Sequence, residues 1–299
     1  MTTSAASSLS YEPKNGEFEL RIGNEIRNIG IPPRPSILAR IEQEMQKDQP
    51  DLYALSEMVA SDVGLSASVI KVANSPFFGF SKKVSSVNEA LMVLGLKMTV
   101  QMVAGIALQQ TFPHVPSLDR FWDTASRTAR VSGWVAQQLK RRLKIRSDLA
   151  YTFGLFRDCG IPLLMIPFPD YAHILGLANT DPDRMFTSIE DEGLAINHAI
   201  VGSELAEDWL LPEDVTHAIR YHHEISALQC GPDAALSEST RQLIAVAQTA
   251  EFLIQEINGR NKTQEWGKLG AGCLRVLSLS DEELESLLDD AREIVLAEM

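Results

Sequence analysis

The chain has 299 residues, 45% of them hydrophobic and 22% charged, a balance that supplies enough apolar surface to offset conformational entropy and excludes global disorder. Its formal net charge of −13, from 27 basic and 40 acidic residues, would repel a phosphate backbone and argues against nucleic acid as a partner. Three widely spaced cysteines, Cys159, Cys230 and Cys273, form no C-x-x-C pair, which argues against a disulfide framework or a thiolate metal site and fits a reducing cytoplasm.

Hydrophobic cores tend to split beyond about 250 residues, so two packed halves are expected. Residues 1–30 read as a leader. Its first ten residues are small and polar, without the basic start and apolar run of a signal peptide, and Glu17 to Ile29 has helical character. Ile31-Pro32-Pro33-Arg34-Pro35 then forces an extended approach to the first bundle. Ser86 and Glu89 form a capping box ahead of a short helix that ends near Gly95. Pro113, His114, Val115 and Pro116 break the pattern and mark the boundary between a subdomain of residues 31–113 and one of residues 114–299.

A long helix is expected from about Ser117 to Leu143. Near its end lies a basic cluster, Lys140, Arg141, Arg142, Lys144 and Arg146, which suits either a helix C-terminus or an anion site. The longest apolar stretch, Ile161 to Phe168, contains Pro162 and Pro167 and falls well short of the roughly 20 residues that a bilayer span needs, so no membrane partner is expected. In the last segment Ser280 and Glu283 make a second capping box before a stripe of Leu284, Leu287, Leu288, Ala291, Ile294 and Val295. Strand signals are nearly absent, and the fold class is all-α with a dozen or more helices.

Four of the six histidines fall between His198 and His223, and Asp158 is the one carboxylate that the local pattern places beside them. His198 opens one helix, while His222 and His223 end another that starts after Pro212, so two helix ends can bring three imidazoles together. Imidazoles with a carboxylate suit a divalent ion. Histidines at a helix end equally serve as caps or buried hydrogen-bonding groups. A second polar and aromatic cluster, Asn74, Ser75, Pro76, Phe77 and Gly79, reads as a structural turn; the alternative is an interaction surface formed by Phe77, Phe78 and Phe80 beside Lys82 and Lys83.

From Ile31 to His223 the sequence resembles the HDOD domain, a non-catalytic relative of the HD superfamily of metal-dependent phosphohydrolases. The resemblance rests on Ile31 to Pro35, Ser61-Asp62-Val63-Gly64-Leu65-Ser66, Val72 to Gly79 and Ala90-Leu91-Met92-Val93-Leu94-Gly95 in the first half. In the second half it rests on Phe121-Trp122, Gly154-Leu155-Phe156-Arg157-Asp158-Cys159-Gly160, His198-Ala199-Ile200-Val201-Gly202, Trp209-Leu210-Leu211-Pro212 and His222-His223. The second half is expected to resemble the HD helical core.

The resemblance implies a degenerate metal site. Where active relatives carry His-Asp, this chain has Arg157-Asp158, and arginine keeps its charge and offers no lone pair. A cation about 4 Å from a metal ion would cost on the order of 4 kcal/mol at an effective dielectric near 20. The stretch Asp123-Thr124-Ala125-Ser126 lacks a further expected histidine, and Gln248 stands for a closing aspartate.

Asp158, His198, His222 and His223 survive, so no catalytic residues and no cofactor are expected, the alternative being a single divalent ion on those four. The implied function is signal transduction in the bacterial cytoplasm through signalling proteins or a small nucleotide-like ligand, without a fused module; the alternative is a phosphohydrolase acting on phosphate esters or cyclic nucleotides.

Overall fold

The structure is a computed structural model that describes residues 26, 29–75, 78, 82–112, 116–232, 234–259 and 262–296. Every regular element among them is helical, as the absence of strand signals predicts. The leader expected at residues 1–30 lies almost wholly outside the described residues.

Helices α1 (Ser36–Met45), α2 (Leu52–Ala60), α3 (Val63–Ala73), α4 (Val87–Leu94) and α5 (Leu96–Thr111) form the first part of the fold. Their starts are set by side-chain caps: Asp51 accepts from the backbone of Tyr53 and Ala54, and Asp62 from that of Leu65. The Ser86 box is shifted by one residue, since Ser86 Oγ accepts from Glu89 N–H while the Glu89 carboxylate accepts from Ser85 N–H at 2.7 Å. Asn74 clamps the loop between α3 and α4, donating to Val84 C=O at 2.7 Å and accepting from Val84 N–H at 2.8 Å. Those bonds give Asn74 the structural part of the turn; Pro76, Phe77, Gly79 and Phe80 lie outside the described residues.

Helix α6 (Pro116–Gln138) runs antiparallel to α7 (Ser147–Phe156), and Gly154 lets them touch: a Cβ there would meet Ala129 Cα at 2.8 Å and Thr128 O at 3.0 Å. α6 stops at Gln138, short of the expected Leu143. The basic cluster lies in the turns beyond it. Arg142 pairs with Glu283 and donates to Ser278 C=O at 3.0 Å, Lys144 pairs with Glu238 at 2.6 Å, and Arg146 pairs with Asp148. Carboxylates at the starts of other helices thus take up this charge.

Next come α8 (Gly160–Met165), α9 (Tyr171–Thr180), α10 (Phe186–Leu194), α11 (His198–Asp208), α12 (Glu213–Tyr221), a 3₁₀ turn (Ile225–Leu228), α13 (Glu238–Asn258), α14 (Glu265–Leu277) and α15 (Asp281–Leu296). The Ser280–Glu283 box at α15 forms in full. One packed set of buried side chains runs from Leu38 to Val295, with Trp209, Tyr171, Phe153 and Phe156 the largest fully buried. Trp209 Nε1–H donates to Pro32 C=O at 3.0 Å, which ties the proline-rich approach to the end of α11.

The α11–α12 corner is a Schellman turn: Leu211 N–H reaches Ala206 C=O and Leu210 N–H reaches Glu207 C=O, each at 2.9 Å. The left-handed position falls on Leu210, with φ of 58° and a side chain 65% exposed. A branched side chain is disfavoured there, and little packing is lost with it. Leu210→Gly is therefore expected to raise unfolding free energy by about 0.5–1 kcal/mol, measurable by chemical denaturation.

Candidate functional site

The site forms where α7 ends and where α11 and α12 turn their histidine-bearing ends toward it. Gly160 and Gly202 set the approach of α8 to α11: a Cβ on Gly160 would intrude on His198 C=O and lie 2.8 Å from Gly202 N. This backbone contact brings Asp158, two residues before Gly160, against His198 in the first turn of α11. Asn197 caps that helix by accepting from Ile200 N–H at 3.0 Å. His222 and His223 follow directly after α12.

One ligand atom from each of Asp158, His198, His222 and His223 lies within 4.8 Å of the others. His222 Nε2 is 3.2 Å from Asp158 Oδ1 and 3.3 Å from His198 Nε2, which is 3.6 Å from the same Asp158 oxygen. The outward ring nitrogens are committed. His222 Nδ1–H donates to Ile219 C=O at 2.8 Å, because a carbonyl can only accept, and His198 Nδ1–H donates to the Glu190 carboxylate at 2.7 Å. Tyr171 O–H donates to the same carboxylate. His223 Nδ1 meets Glu265 at 2.5 Å, and Lys268 pairs with Glu265 at 2.5 Å. Phe186 stacks on His223 with ring centroids 4.5 Å apart.

With both Nδ1 atoms donating, neutral His198 and His222 would aim two lone pairs at each other and at a carboxylate oxygen. A proton or a cation must resolve that convergence. Burial pushes the His198 imidazole down, but Glu190 and Asp158 more than reverse this and leave it above its ordinary value. A proton on His198 Nε2 would be donated to His222 Nε2, 3.3 Å away. Burial lowers His222 despite its bond to Asp158, and burial with the neighbouring imidazoles holds His223 well below its ordinary value. Burial would raise the Asp158 carboxyl, yet Arg157 and the histidines hold it far below the usual carboxylate range.

Arg157 does not sit among the imidazoles. Its guanidinium lies behind the other Asp158 oxygen, with Nε 3.4 Å from Oδ2, and its far end pairs with Glu251 of α13 at 3.0 Å. Gln248 joins this side of the site by donating to Glu251 at 3.2 Å. Arg157 is 6% exposed, Glu251 21% and Asp158 32%, so the charged network is closed at the arginine and open at the carboxylates. Asp158 thus stands between the guanidinium, which faces Oδ2, and the imidazoles of His198 and His222, which face Oδ1. The site thus has two halves, a histidine half on Oδ1 and an Arg157–Glu251–Gln248 half on Oδ2.

All six residues singled out in the sequence reach this site, but Asp158 is not its only carboxylate: Glu190, Glu251 and Glu265 were missed. Glu190 offered a signal, since it lies four residues after Phe186 on the apolar face of α10, where an acid needs a buried partner. Glu265 and Lys268, three residues apart on α14, look instead like a surface pair. All three thiols are free; burial pushes Cys159 up and Cys273 up to about 12, which leaves both unreactive.

The HDOD domain family matches residues 31–225, well over half of the chain. The chain belongs to the HDOD family. A curated relative from Treponema pallidum (strain Nichols), itself uncharacterized, is 27% identical over 245 residues. That match covers 79% of this chain and 44% of the relative, so the chain spans less than half of the relative's length.

Among solved structures, an HDOD domain protein of unknown function from Geobacter sulfurreducens superposes with a TM-score of 0.68 at 21% identity, covering 95% of this chain and 98% of that one. A protein from Marinobacter aquaeolei VT8, provisionally named for signal transduction, gives 0.69 at 22% identity over 94% of this chain and 64% of that one. One from Shewanella amazonensis SB2B, provisionally named a metal-dependent phosphohydrolase, gives 0.65 at 16% identity over 95% and 100%. At these identities the likeness is one of fold.

Proposed function

We propose that this HDOD protein is a non-catalytic regulatory module of the bacterial cytoplasm that acts by binding a signalling protein or a small nucleotide-like ligand. The observation that carries this reading is the Arg157–Asp158–Glu251–Gln248 network. It fills half of the site with a permanent cation and its carboxylate partners, and the seat for a second metal is lost with it. Two-metal hydrolysis of a phosphate ester needs ions on both sides of the reacting group. The free thiols and the signal-transduction name of the Marinobacter protein support the same reading. Among the described residues no helix is long and apolar enough to cross a membrane.

Elemental analysis of the purified full chain is expected to find no stoichiometric metal, and bis(p-nitrophenyl) phosphate with added Mn²⁺ is expected to turn over no faster than with His222→Ala. A tightly held metal together with hydrolysis that His222→Ala abolishes would refute the proposal.

One observation favours a second reading, a module that holds a single divalent ion. Separations of 3.2, 3.3 and 3.6 Å between Asp158 Oδ1, His222 Nε2 and His198 Nε2 match the edge of about 3.3 Å expected for ligands around one tetrahedral ion. These residues fit such an ion, and Glu190 and Ile219 C=O orient both rings for it. When bound it would supply a Lewis acid. On this reading Zn²⁺ titrates at one equivalent and raises the melting temperature, and His222→Ala removes both effects.

A further inference from the structure

We infer that the cavity between α6 and α13 is a binding site for a small polar phosphate ester, anchored by Arg127. This deepens the proposed ligand-binding reading and rests on it. The cavity encloses about 570 Å³, within the range of small-molecule sites, and Glu251, the partner of Arg157, forms part of its wall.

Its chemistry follows from spacing along α6. Arg120, Thr124, Arg127 and Thr128 fall at positions i, i+4, i+7 and i+8, so they share one helix face and present two guanidinium groups and two hydroxyls to the same space. Opposite them stand Asn258 of α13 and Lys262 beyond it. Among the described lining residues Ile254 is the one aliphatic side chain, which suits a polar ligand and not a lipid.

Two buried atoms on this wall lack hydrogen-bond partners among the described residues: Arg127 Nε, a donor, and Asn258 Oδ1, an acceptor. Arg127 and Asn258 both line the cavity, so a ligand that meets the guanidinium and the amide oxygen carries both an acceptor and a donor. A phosphate oxygen supplies the first and a hydroxyl or amino group of the esterified molecule the second.

The charge balance agrees. Of the carboxylates on the wall Glu251 is held by Arg157, while Lys262 is neutralised by Glu256 at 2.6 Å. What remains is Arg120 and Arg127 against Asp123, a net positive wall in a chain of net charge −13. Arginine pairs presented in this way favour phosphate, which each can meet with two parallel N–H donors.

Calorimetric titration of the full chain with AMP and with inorganic phosphate, both in EDTA, tests the site. The expected result is saturable AMP binding that Arg127→Gln weakens by about ten- to a hundredfold at unchanged melting temperature. Arg120→Gln, at an exposed position, provides a variant that leaves the fold intact and is expected to weaken AMP as well. Binding of phosphate alone at similar strength would mark the free anion as the ligand and overturn the ester. No saturable binding of either probe tighter than about 1 mM overturns the site itself.

If binding vanishes in EDTA, returns with Zn²⁺ and ignores both arginine variants, the phosphate sits on a metal at the histidines. The metal-free reading then falls together with this inference. Absence of binding with negative metal and hydrolysis assays removes the inference alone.

Discussion

Arg157→Ala is expected to lower the unfolding free energy by about 3 kcal/mol, the lower end of the range for breaking a buried ion pair. The substitution removes a 6%-exposed guanidinium that holds Asp158 at 3.4 Å and Glu251 at 3.0 Å. Both carboxylates keep a fraction of their surface in water, 32% and 21%, so part of the uncompensated charge is screened and the upper end of the range is not reached. Adding Glu251→Gln should recover a measurable share of the loss, because it removes one of the two stranded charges. Equal stability of wild type and Arg157→Ala in urea denaturation would show that the network is not structural.

Arg157→His, which recreates a His-Asp pair, is expected to leave phosphodiester hydrolysis absent. Gln248 still faces Glu251, and Asp123 to Ser126 on α6 contain no histidine.

The helices were legible wherever local chemistry ends or starts them. Ser86, Ser280 and Pro212 each mark a start that the structure keeps, because an N-cap or a proline acts within one turn. The end of α6 was not legible. Lys140 to Arg146 are acceptable in a helix, and the chain leaves it at Gln138 to meet Glu238 and Glu283, more than ninety residues later in sequence.

The same distinction runs through the site. Resemblance located Arg157, Asp158, His198, His222, His223 and Gln248, but which Asp158 oxygen the guanidinium faces depends on the seating of α7 against α13. Glu190, Glu251 and Glu265 come from three different helices, α10, α13 and α14, and announce themselves only where, as with Glu190, a carboxylate interrupts an apolar face. Sequence spacing records neighbours along one helix, whereas this site is assembled across several crossings.

The crossing that matters most yields the other large effect. Gly160→Ala is expected to cost about 3 kcal/mol or more, beyond the usual penalty for overpacking, because the atoms met by the new Cβ are the His198 carbonyl oxygen and the Gly202 nitrogen. A crowded side chain can change rotamer, but a helix backbone cannot, so α8 and α11 must move apart. Gly202 offers no relief, since its own Cβ position lies 3.1 Å from Gly160 N and 3.2 Å from Cys159 Sγ.

His198 occupies the first turn of the displaced helix. Its separations of 3.3 Å from His222 and 2.7 Å from Glu190 would open together, and the variant should lose any Zn²⁺-dependent rise in melting temperature along with its stability. Gly176→Ala is the matched control. That glycine lies within α9 with nothing within 4 Å of the new Cβ, so alanine should stabilise by about 0.5–1 kcal/mol through its better helix propensity. Opposite signs in parallel denaturation curves would establish that the site's geometry depends on backbone contact at Gly160, whereas similar small changes at both positions would refute it.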